Sequence, residues 1–277
     1  MSSLSGVAGV FDRAAATYDA VGVPWFGLIA QGLVDELAPR PGERALDVGC
    51  GRGAVLGPVA HLVGPTGAAV GIDLAPEMVR RTAADLADLP WVDVRVDDGQ
   101  APTFPSESFD VVASSLVVFF LDDAAAALHR WTELLVPGGR LGVTTFGKQD
   151  PLWLEVDAVF QPYLPESLKD ARTSGATGPF ESDAGMEELV GGAGLIDVRT
   201  AHGTVDARFR DVEHLLEFSW SHGQRAMWEA VPPEERAAVR TRIVDRVAEL
   251  GVGSSSFTFT QDVRHTLGRR PAPARLD

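Results

Sequence analysis

The stretch at residues 44–54 reads RALDVGCGRGA, and it decides the fold class. It begins as a short apolar strand, passes through a glycine-rich turn, and enters a helix that we expect to run through Leu62. Glycines in such a turn permit positive φ, and they let a ligand approach the backbone with no Cβ in the way. Open α/β sheets bind their ligands at this position, beyond the carboxyl end of a strand.

Further strands alternate with helices through the first half of the chain. Strands are predicted at residues 68–73, 92–96, 109–114 and 140–146, and helices at residues 76–86 and 123–135. Near-continuous apolar strands that alternate with amphipathic helices are typical of a parallel sheet covered on both faces. We therefore predict an α/β fold, namely a Rossmann-like, seven-stranded, mostly parallel sheet with helices on both faces and a helical lid.

The pattern changes after Phe146. Helices are predicted at residues 182–191, 211–231 and 233–250, and strands at residues 194–200 and 256–267. We predict residues 1–30 as an N-terminal helical cover and residues 31–146 as the ligand-binding core. Residues 147–180 and 205–253 are predicted as lid or substrate-binding insertions, and residues 181–204 and 254–270 as the C-terminal part of the core sheet.

Composition narrows the possible partners and the location. The 277-residue chain has 39 acidic and 24 basic residues, a net charge of −15. Such a surface repels phosphate backbones, so we expect no nucleic-acid partner. The single cysteine, Cys50, excludes an internal disulfide and a cysteine-based metal cluster, and we predict no metal site. We see no signal peptide and no apolar run of membrane length, so we expect a cytoplasmic protein, and the sequence leaves open whether it forms a homo-oligomer.

The glycine loop alone leaves two kinds of cofactor open. Gly49, Gly51 and Ala54 satisfy the G-x-G-x-x-G/A dinucleotide fingerprint, and Asp73 lies near the distance expected for a ribose-binding acid. An NAD(P)-dependent oxidoreductase is therefore one alternative. Asp47 favours another cofactor, because a carboxylate at the end of the first strand suits an ammonium better than a pyrophosphate. Asp98, after the third strand, is placed to meet an exocyclic amine.

Several motifs, in order along residues 11–146, resemble class I S-adenosylmethionine methyltransferases, in particular the ubiquinone/menaquinone-type branch and its actinobacterial natural-product relatives. The motifs are FDRAA at 11–15, YD at 18–19, DVGCGRG at 47–53, GIDLA at 71–75, DDG at 97–99, SFD at 108–110 and PGG at 137–139. The segment WSHGQR at 220–225 also looks like a segment of some of these relatives.

The resemblance implies S-adenosylmethionine as cofactor, with S-adenosylhomocysteine as product, and it assigns a role to each matching residue. Gly49, Gly51 and Gly53 would lie under the methionine part of the cofactor, with Asp47 near its amino group and Ser115 beside it. Asp73 would accept both ribose hydroxyls. Leu74 and Met78 would sandwich the adenine, and Asp98 with the Gly99 backbone would read its edge. Tyr18 would close over the sulfonium.

We therefore predict transfer of a methyl group to a small, largely apolar acceptor, because aromatic residues are frequent in the predicted lid. The methylated atom is left open. Some relatives carry a histidine after strand four, where this chain has the apolar run 116–121, so His222 is the best remaining candidate base, and Tyr18 is a second catalytic candidate. His202, His214, His265 and Tyr163 are weaker candidates. Transfer by proximity alone, a cofactor-bound cyclase that transfers no methyl group, and a non-catalytic binding protein remain alternatives.

Overall fold

The computed structural model describes residues 3–165, 178–252 and 255–272, with side chains from residue 6 onward. Seven strands form one sheet in the order β3-β2-β1-β4-β5-β7-β6. They are β1 (Arg44–Val48), β2 (Ala68–Asp73), β3 (Val92–Val96), β4 (Phe109–Ser115), β5 (Leu135–Gln149), β6 (Ile196–Phe209) and β7 (Phe257–Arg269). The pairs among β1 to β5 are parallel, whereas β7 runs antiparallel to both β5 and β6. The predicted fold class is therefore confirmed.

Helices cover the sheet. They are α1 (Ser3–Ala14), α2 (Trp25–Leu37), α3 (Leu56–Val63), α4 (Pro76–Asp85), α5 (Ala124–Leu134), α6 (Pro151–Asp157), α7 (Asp183–Gly192), α8 (Val212–Trp220), α9 (Arg225–Ala230) and α10 (Arg236–Glu249). Four of them begin at a polar side chain that accepts a backbone N–H, as N-cap residues do. These caps are Asp123, Asp150, Ser182 and Asp211.

Two strands are longer than the sequence predicted. β5 begins at Leu135, because the Pro-Gly-Gly segment forms a bulge within the strand; Phe109 pairs with Leu135 and Val111 already pairs with Arg140. β6 continues from the predicted end at Thr200 to Phe209, where it pairs with Phe257 of β7. The first residues of the predicted insertion at 205–253 thus belong to the sheet.

The predicted helix at residues 211–231 is two helices. α8 ends at Trp220, and a turn that contains Gly223 leads into α9. Glycine is a poor helix former, so a break at this position has a local cause. Part of the predicted lid, residues 166–177, lies outside the described residues.

The apolar interior consists of packed clusters on the two sides of the sheet and beyond its end. One cluster holds β1, β4 and β5 side chains against α5 and α7, and a second packs α3 against β1 and β2. The largest joins α2 to the segments after β5 and to α8–α10, and it contains most of the aromatic residues of the second half. This cluster fixes the cover over the carboxyl ends of the strands. Among the described residues, no helix is both long and apolar enough to cross a membrane.

Candidate active site

A cleft with about 720 Å³ of open space lies where strands β1 to β4 end. Each of these strands contributes its last residue or residues that lie shortly after it in the chain. α1 forms the opposite wall. The lining residues are Val7, Ala8, Phe11, Tyr18, Gly49, Gly51, Asp73, Leu74, Met78, Asp98, Gly99, Ser115, Leu116, Val117, Phe120 and Leu121. A cleft lined by apolar side chains with a few convergent polar groups is typical of small-molecule and cofactor sites. The structure thus brings together nine of the twelve predicted site residues; Asp47, Gly53 and His222 do not line the cleft.

The glycine loop forms the floor of the cleft. The backbone N–H groups of Gly49 and Cys50 both donate to the carbonyl of Ile72, at 2.8 and 2.9 Å, which ties the loop to the end of β2. Gly49 has φ +72°, and a Cβ at this residue would lie 2.4 Å from Cγ2 of Val117. Only glycine therefore fits at this turn, for reasons of both backbone conformation and space.

Asp73 joins the loop to the end of β2. Its Oδ2 accepts the N–H of Gly51 at 2.9 Å, and its Oδ1 accepts the N–H of Ala75 at 2.8 Å. Burial raises its pKa, and these backbone hydrogen bonds act in the opposite direction. Because each carboxylate oxygen has two lone pairs, both oxygens keep capacity for a hydroxyl donor from the cleft.

Asp47 lies at the end of β1, beneath the loop, and only 3% of it is exposed. Its Oδ2 is buried and has no hydrogen-bond partner among the described residues. Burial, and then the nearby Asp73 charge, raise the pKa of Asp47 to about 8. A buried carboxyl oxygen without a partner is costly unless a ligand supplies a donor or a positive charge. The amino group of S-adenosylmethionine is such a donor, so the acids present fit this cofactor.

Asp98 and Gly99 follow β3 and lie at the other end of the cleft. The side chain of Asp98 accepts the N–H of Gln100 at 2.9 Å, which fixes the turn. The Gly99 carbonyl accepts the indole N–H of Trp131 at 2.7 Å, so the backbone at this residue is held in place from below.

α1 closes the cleft from above, and polar contacts fasten it to the core. Asp12 accepts the N–H of Glu77 at the start of α4 at 2.7 Å. Arg52, in the glycine loop, donates to the carbonyl of Ala15 at 2.7 Å. On the other side, Arg13 donates to Glu229 of α9 at 2.9 Å. These tethers were not predicted from the sequence, because they join residues that are far apart in the chain.

Tyr18 lies beside the cleft, and its ring stacks on Phe26 with 4.3 Å between centroids. Burial raises the pKa of Tyr18 well above its ordinary value, and the nearby Asp19 and Asp73 charges add to the shift. The phenol therefore keeps its proton at neutral pH. An aromatic face in this position suits a cation better than a base.

The apolar segment after β4 forms the side wall. Leu116 has φ +59°, which is rare for a residue with a side chain and is typical of strained functional loops. Its N–H donates to the carbonyl of Thr144 in β5 at 3.0 Å. This backbone turn places Val117 and Phe120 in the cleft.

His222 lies behind Tyr18 and Phe26, outside the lining of the cleft. It is buried, and its ring centroid is 4.4 Å from that of Phe218 and 5.5 Å from that of Phe26. Burial lowers its pKa to about 3, so the imidazole is neutral. Its Nε2 is buried without a hydrogen-bond partner among the described residues.

The other candidate bases are held in structural contacts. His202 bonds Asp183, and the Nε2 of His214 bonds the carbonyl of Val21 at 2.7 Å. The Nδ1 of His265 bonds Thr144 at 2.9 Å, and the hydroxyl of Tyr163 donates to Glu235 at 2.6 Å. None of these four residues lines the cleft.

Comparison with known proteins defines the class. Residues 46–143 match the family model described as a methyltransferase domain. Over 95% of this chain and 98% of the relative, the sequence is 42% identical to nocamycin O-methyltransferase of Saccharothrix syringae. Over 57% of this chain and 73% of the relative, it is 39% identical to aklanonic acid methyltransferase DauC of Streptomyces sp. (strain C5). The solved structure of the cyclase SpnF is similar with a TM-score of 0.53 and 18% identity, over 89% of this chain and 81% of that one, which shows the shared fold alone.

The chain belongs to the methyltransferase domain family. It is a class I S-adenosylmethionine-dependent methyltransferase, as the sequence motifs indicate. An NAD(P)-dependent oxidoreductase, which the glycine loop left open, is therefore excluded. The assigned roles of the individual site residues remain predictions.

Proposed function

We propose that this enzyme transfers the methyl group of S-adenosylmethionine to an oxygen atom of a small, largely apolar natural product. The observation that carries the proposal is a cluster of aromatic rings that adjoins the cofactor cleft. It consists of the rings that surround Trp25, with centroids 5.0 to 6.1 Å from that of Trp25, and we call it the Trp25 cluster. Its other members are Phe26, Phe146, Trp153, Phe218 and His222.

The Trp25 cluster is next to the cleft on two sides. Phe26 stacks on Tyr18, which lines the cleft, and a Cβ at Gly223, the residue that follows His222 of the cluster, would lie 3.5 Å from the ring of Phe11, another lining residue. Phe146 belongs to the cluster at the end of β5 and is partly exposed. The other five members are buried, so Phe146 offers the exposed aromatic surface of the cluster, and such a surface suits a planar or polycyclic ligand. No lysine or arginine belongs to the cluster, which disfavours a phosphorylated acceptor.

The named relatives support the same class of acceptor. One is a nocamycin O-methyltransferase and the other an aklanonic acid methyltransferase, so both act on natural products by their names. The first matches nearly the whole chain, including the segments after β5 that form the Trp25 cluster. We therefore extend natural-product O-methylation to this chain as a proposal.

The protein's part in the chemistry is alignment and exclusion of water. S-adenosylmethionine supplies an activated methyl group, so an in-line displacement needs little further activation. The glycine loop, Asp73, Asp98 and Gly99 would hold the cofactor, and Asp47 would face its amino group. Tyr18 and Phe26 would separate the reacting atoms from solvent.

The test is the mass of the product. The purified enzyme is incubated with S-adenosylmethionine carrying a deuterated methyl group and a set of hydroxylated or carboxylated polyketide aromatics, and the products are analysed by mass spectrometry. The proposal predicts that one acceptor gains a labelled methyl group, with S-adenosylhomocysteine formed in equal amount. A product of unchanged mass, formed only when the cofactor is present, would contradict the proposal, since no methyl group would have been transferred to it.

A further inference from the structure

Two unpaired N–H donors lie inside the Trp25 cluster. Among the described residues, Trp25 Nε1 and His222 Nε2 are buried atoms without a hydrogen-bond partner. The two ring centroids are 6.1 Å apart, and both rings contact Phe26 and Phe218. An unpaired buried polar group is costly, and most are satisfied in folded proteins. Two of them within one aromatic cluster indicate a ligand group that supplies the missing acceptor.

A hydrogen bond at Nδ1 of His222 indicates that its other ring nitrogen, Nε2, is a donor. Its Nδ1 accepts the backbone N–H of Gln224 at 3.4 Å. A neutral imidazole carries one proton, which must then be on Nε2. His222 therefore presents an N–H to the cluster and has no free lone pair there, so in this tautomer it does not act as a base.

A chain of side-chain contacts holds this arrangement. The Nε2 of Gln224 donates to Asp157 at 2.7 Å, and the Nε2 of Gln149 donates to the other carboxyl oxygen of Asp157 at 3.1 Å. These bonds join the end of β5 and the end of α6 to the turn between α8 and α9. Because Gln224 also donates its backbone N–H to His222, it is a positioning residue for the imidazole.

An acidic side chain also lies beside Trp25: Asp19 accepts backbone hydrogen bonds from Trp25, Phe26 and Gly27. Burial raises the pKa of Asp19, these backbone hydrogen bonds at the start of α2 act in the opposite direction, and its Oδ1 is buried without a partner among the described residues. A negative ligand group in the cluster therefore has two free N–H donors, and three backbone donors offset part of the charge of the neighbouring Asp19 carboxyl.

We propose that Trp25 Nε1 and His222 Nε2 bind the oxygen atoms of a delocalised oxyanion of the acceptor, a carboxylate or an ionised enol, which is the group that receives the methyl. The inference rests on the proposed function and names the acceptor class. Hydrogen bonds from two N–H donors to an oxyanion are among the strong ones. A lone pair of the oxyanion forms the new O–C bond while the S–C bond breaks and its electron pair stays on sulfur. No proton is released, so no catalytic base is required.

The experiment measures binding of matched probe pairs to the enzyme saturated with S-adenosylhomocysteine. The carboxylate arm compares 1-naphthoate with its methyl ester, and the enol arm compares 4-hydroxycoumarin with 4-methoxycoumarin. Binding is followed by titration calorimetry at neutral pH. We expect the ionised probe of at least one arm to bind about tenfold more tightly than its methylated partner, and the two arms distinguish the two sources of the oxyanion.

Variants assign this preference to the two donors. Trp25→Phe and His222→Phe each keep an aromatic ring and remove the N–H, and each is expected to abolish most of the preference. His222→Gln keeps a donor and is expected to retain it. Trp228→Phe is the matched control, because the Trp228 indole N–H already donates to Ser219 at 2.8 Å. Binding of S-adenosylhomocysteine, measured in the same experiment, shows that each variant is folded.

The outcomes separate the two proposals. If S-adenosylhomocysteine binds but the ionised and methylated probes bind equally, or neither binds, the oxyanion site is disproved and the proposed function stands. An ion preference that survives in both phenylalanine variants also disproves it. If S-adenosylhomocysteine itself does not bind the folded protein, the proposed function fails.

Discussion

Gly49 shows how strictly one residue is determined by the turn it occupies. A side chain there would need both an unfavourable positive φ and the space that Val117 fills, 2.4 Å from the expected Cβ position. We predict that Gly49→Ala lowers the free energy of unfolding by about 2–4 kcal/mol and greatly weakens cofactor binding. Urea unfolding and calorimetric titration with S-adenosylhomocysteine would measure the two effects.

Two further variants separate the causes at Gly49. Gly51→Ala is the control for stability, because Gly51 has no atom within 4 Å of the expected Cβ position, although its φ is also positive. We expect it to be less destabilising. Val117→Ala combined with Gly49→Ala should recover part of the stability; no recovery would show that the contact with Val117 is not the cause.

Asp47 gives a prediction about pH. Its pKa of about 8 lies above the ordinary value of 3.8, so between these pH values the folded carboxyl holds a proton that the unfolded chain has released. This group therefore makes the ligand-free protein less stable as the pH rises from about 4 to about 8. Asp47→Asn removes this dependence. We predict that it is more stable than the wild type at pH 8, by about 1–3 kcal/mol, with a smaller difference at pH 5.

The measurement is urea unfolding of both proteins at the two pH values, without ligand. The same variant should bind S-adenosylmethionine more weakly at pH 8, because it lacks the negative charge that would face the amino group. Higher stability with lower affinity is the usual trade-off at a binding site. A variant less stable than the wild type at pH 8 would contradict the assigned burial of this charge.

At the scale of elements, α1 is joined to the core by a few polar contacts at its end. Asp12 accepts an N–H in the first turn of α4 and so acts as a cap supplied by another helix. We predict that Asp12→Ala weakens S-adenosylmethionine binding about threefold to tenfold, because the cover over the cleft is released. The expected loss of stability is only about 1 kcal/mol.

Stopped-flow measurement of cofactor dissociation checks this prediction, since a released cover should raise the off-rate. Arg13→Ala is the control, because the Arg13–Glu229 bridge is half exposed and surface bridges contribute little. An equal effect of both variants would mean that α1 is held by the sum of its contacts rather than by the cap.

The strands of the first half could be predicted from the sequence because they are short, rich in valine and other apolar residues, and bounded by glycine or acidic residues. β1, β2 and β3 have the predicted bounds. β6 was predicted too short, since only alternate residues from Val205 to Phe209 are buried there. The period of two in that segment was a usable signal, but the aromatic and polar residues around it favoured a lid.

The cleft could be predicted where it is built from strand ends, because those residues follow motifs in fixed order. Asp73, Asp98 and Ser115 all line it. The wall from α1 could not be predicted in detail, because Val7 and Ala8 carry no chemical signal and reach the cleft only through the tertiary contacts of Asp12 and Arg13. For the same reason, the contact between Nδ1 of His222 and the N–H of Gln224 could not be predicted from the sequence, and the role of His222 as a candidate base stays a prediction.

For the whole molecule, we propose that the acids of the cleft bind one ligand and the aromatic rings beside it bind another. In the proposed function, buried carboxyls at the ends of β1 and β2 would meet the polar, positively charged cofactor, and the Trp25 cluster would supply an apolar surface for the acceptor. The net charge of −15 agrees with a small-molecule acceptor, because it disfavours nucleic acid. The central claim is that the cleft binds S-adenosylmethionine through Asp73.

Calorimetric titration with S-adenosylmethionine and S-adenosylhomocysteine tests that claim most directly. It is made on the wild type, on Asp73→Ala and on Asp93→Ala, a control in which the lost carboxylate belongs to an exposed pair with Arg95 on β3. We predict micromolar binding of both ligands to the wild type and to the control, and at least about tenfold weaker binding to Asp73→Ala. Unchanged affinity in Asp73→Ala, or no binding of either ligand to the folded wild type, would contradict the account.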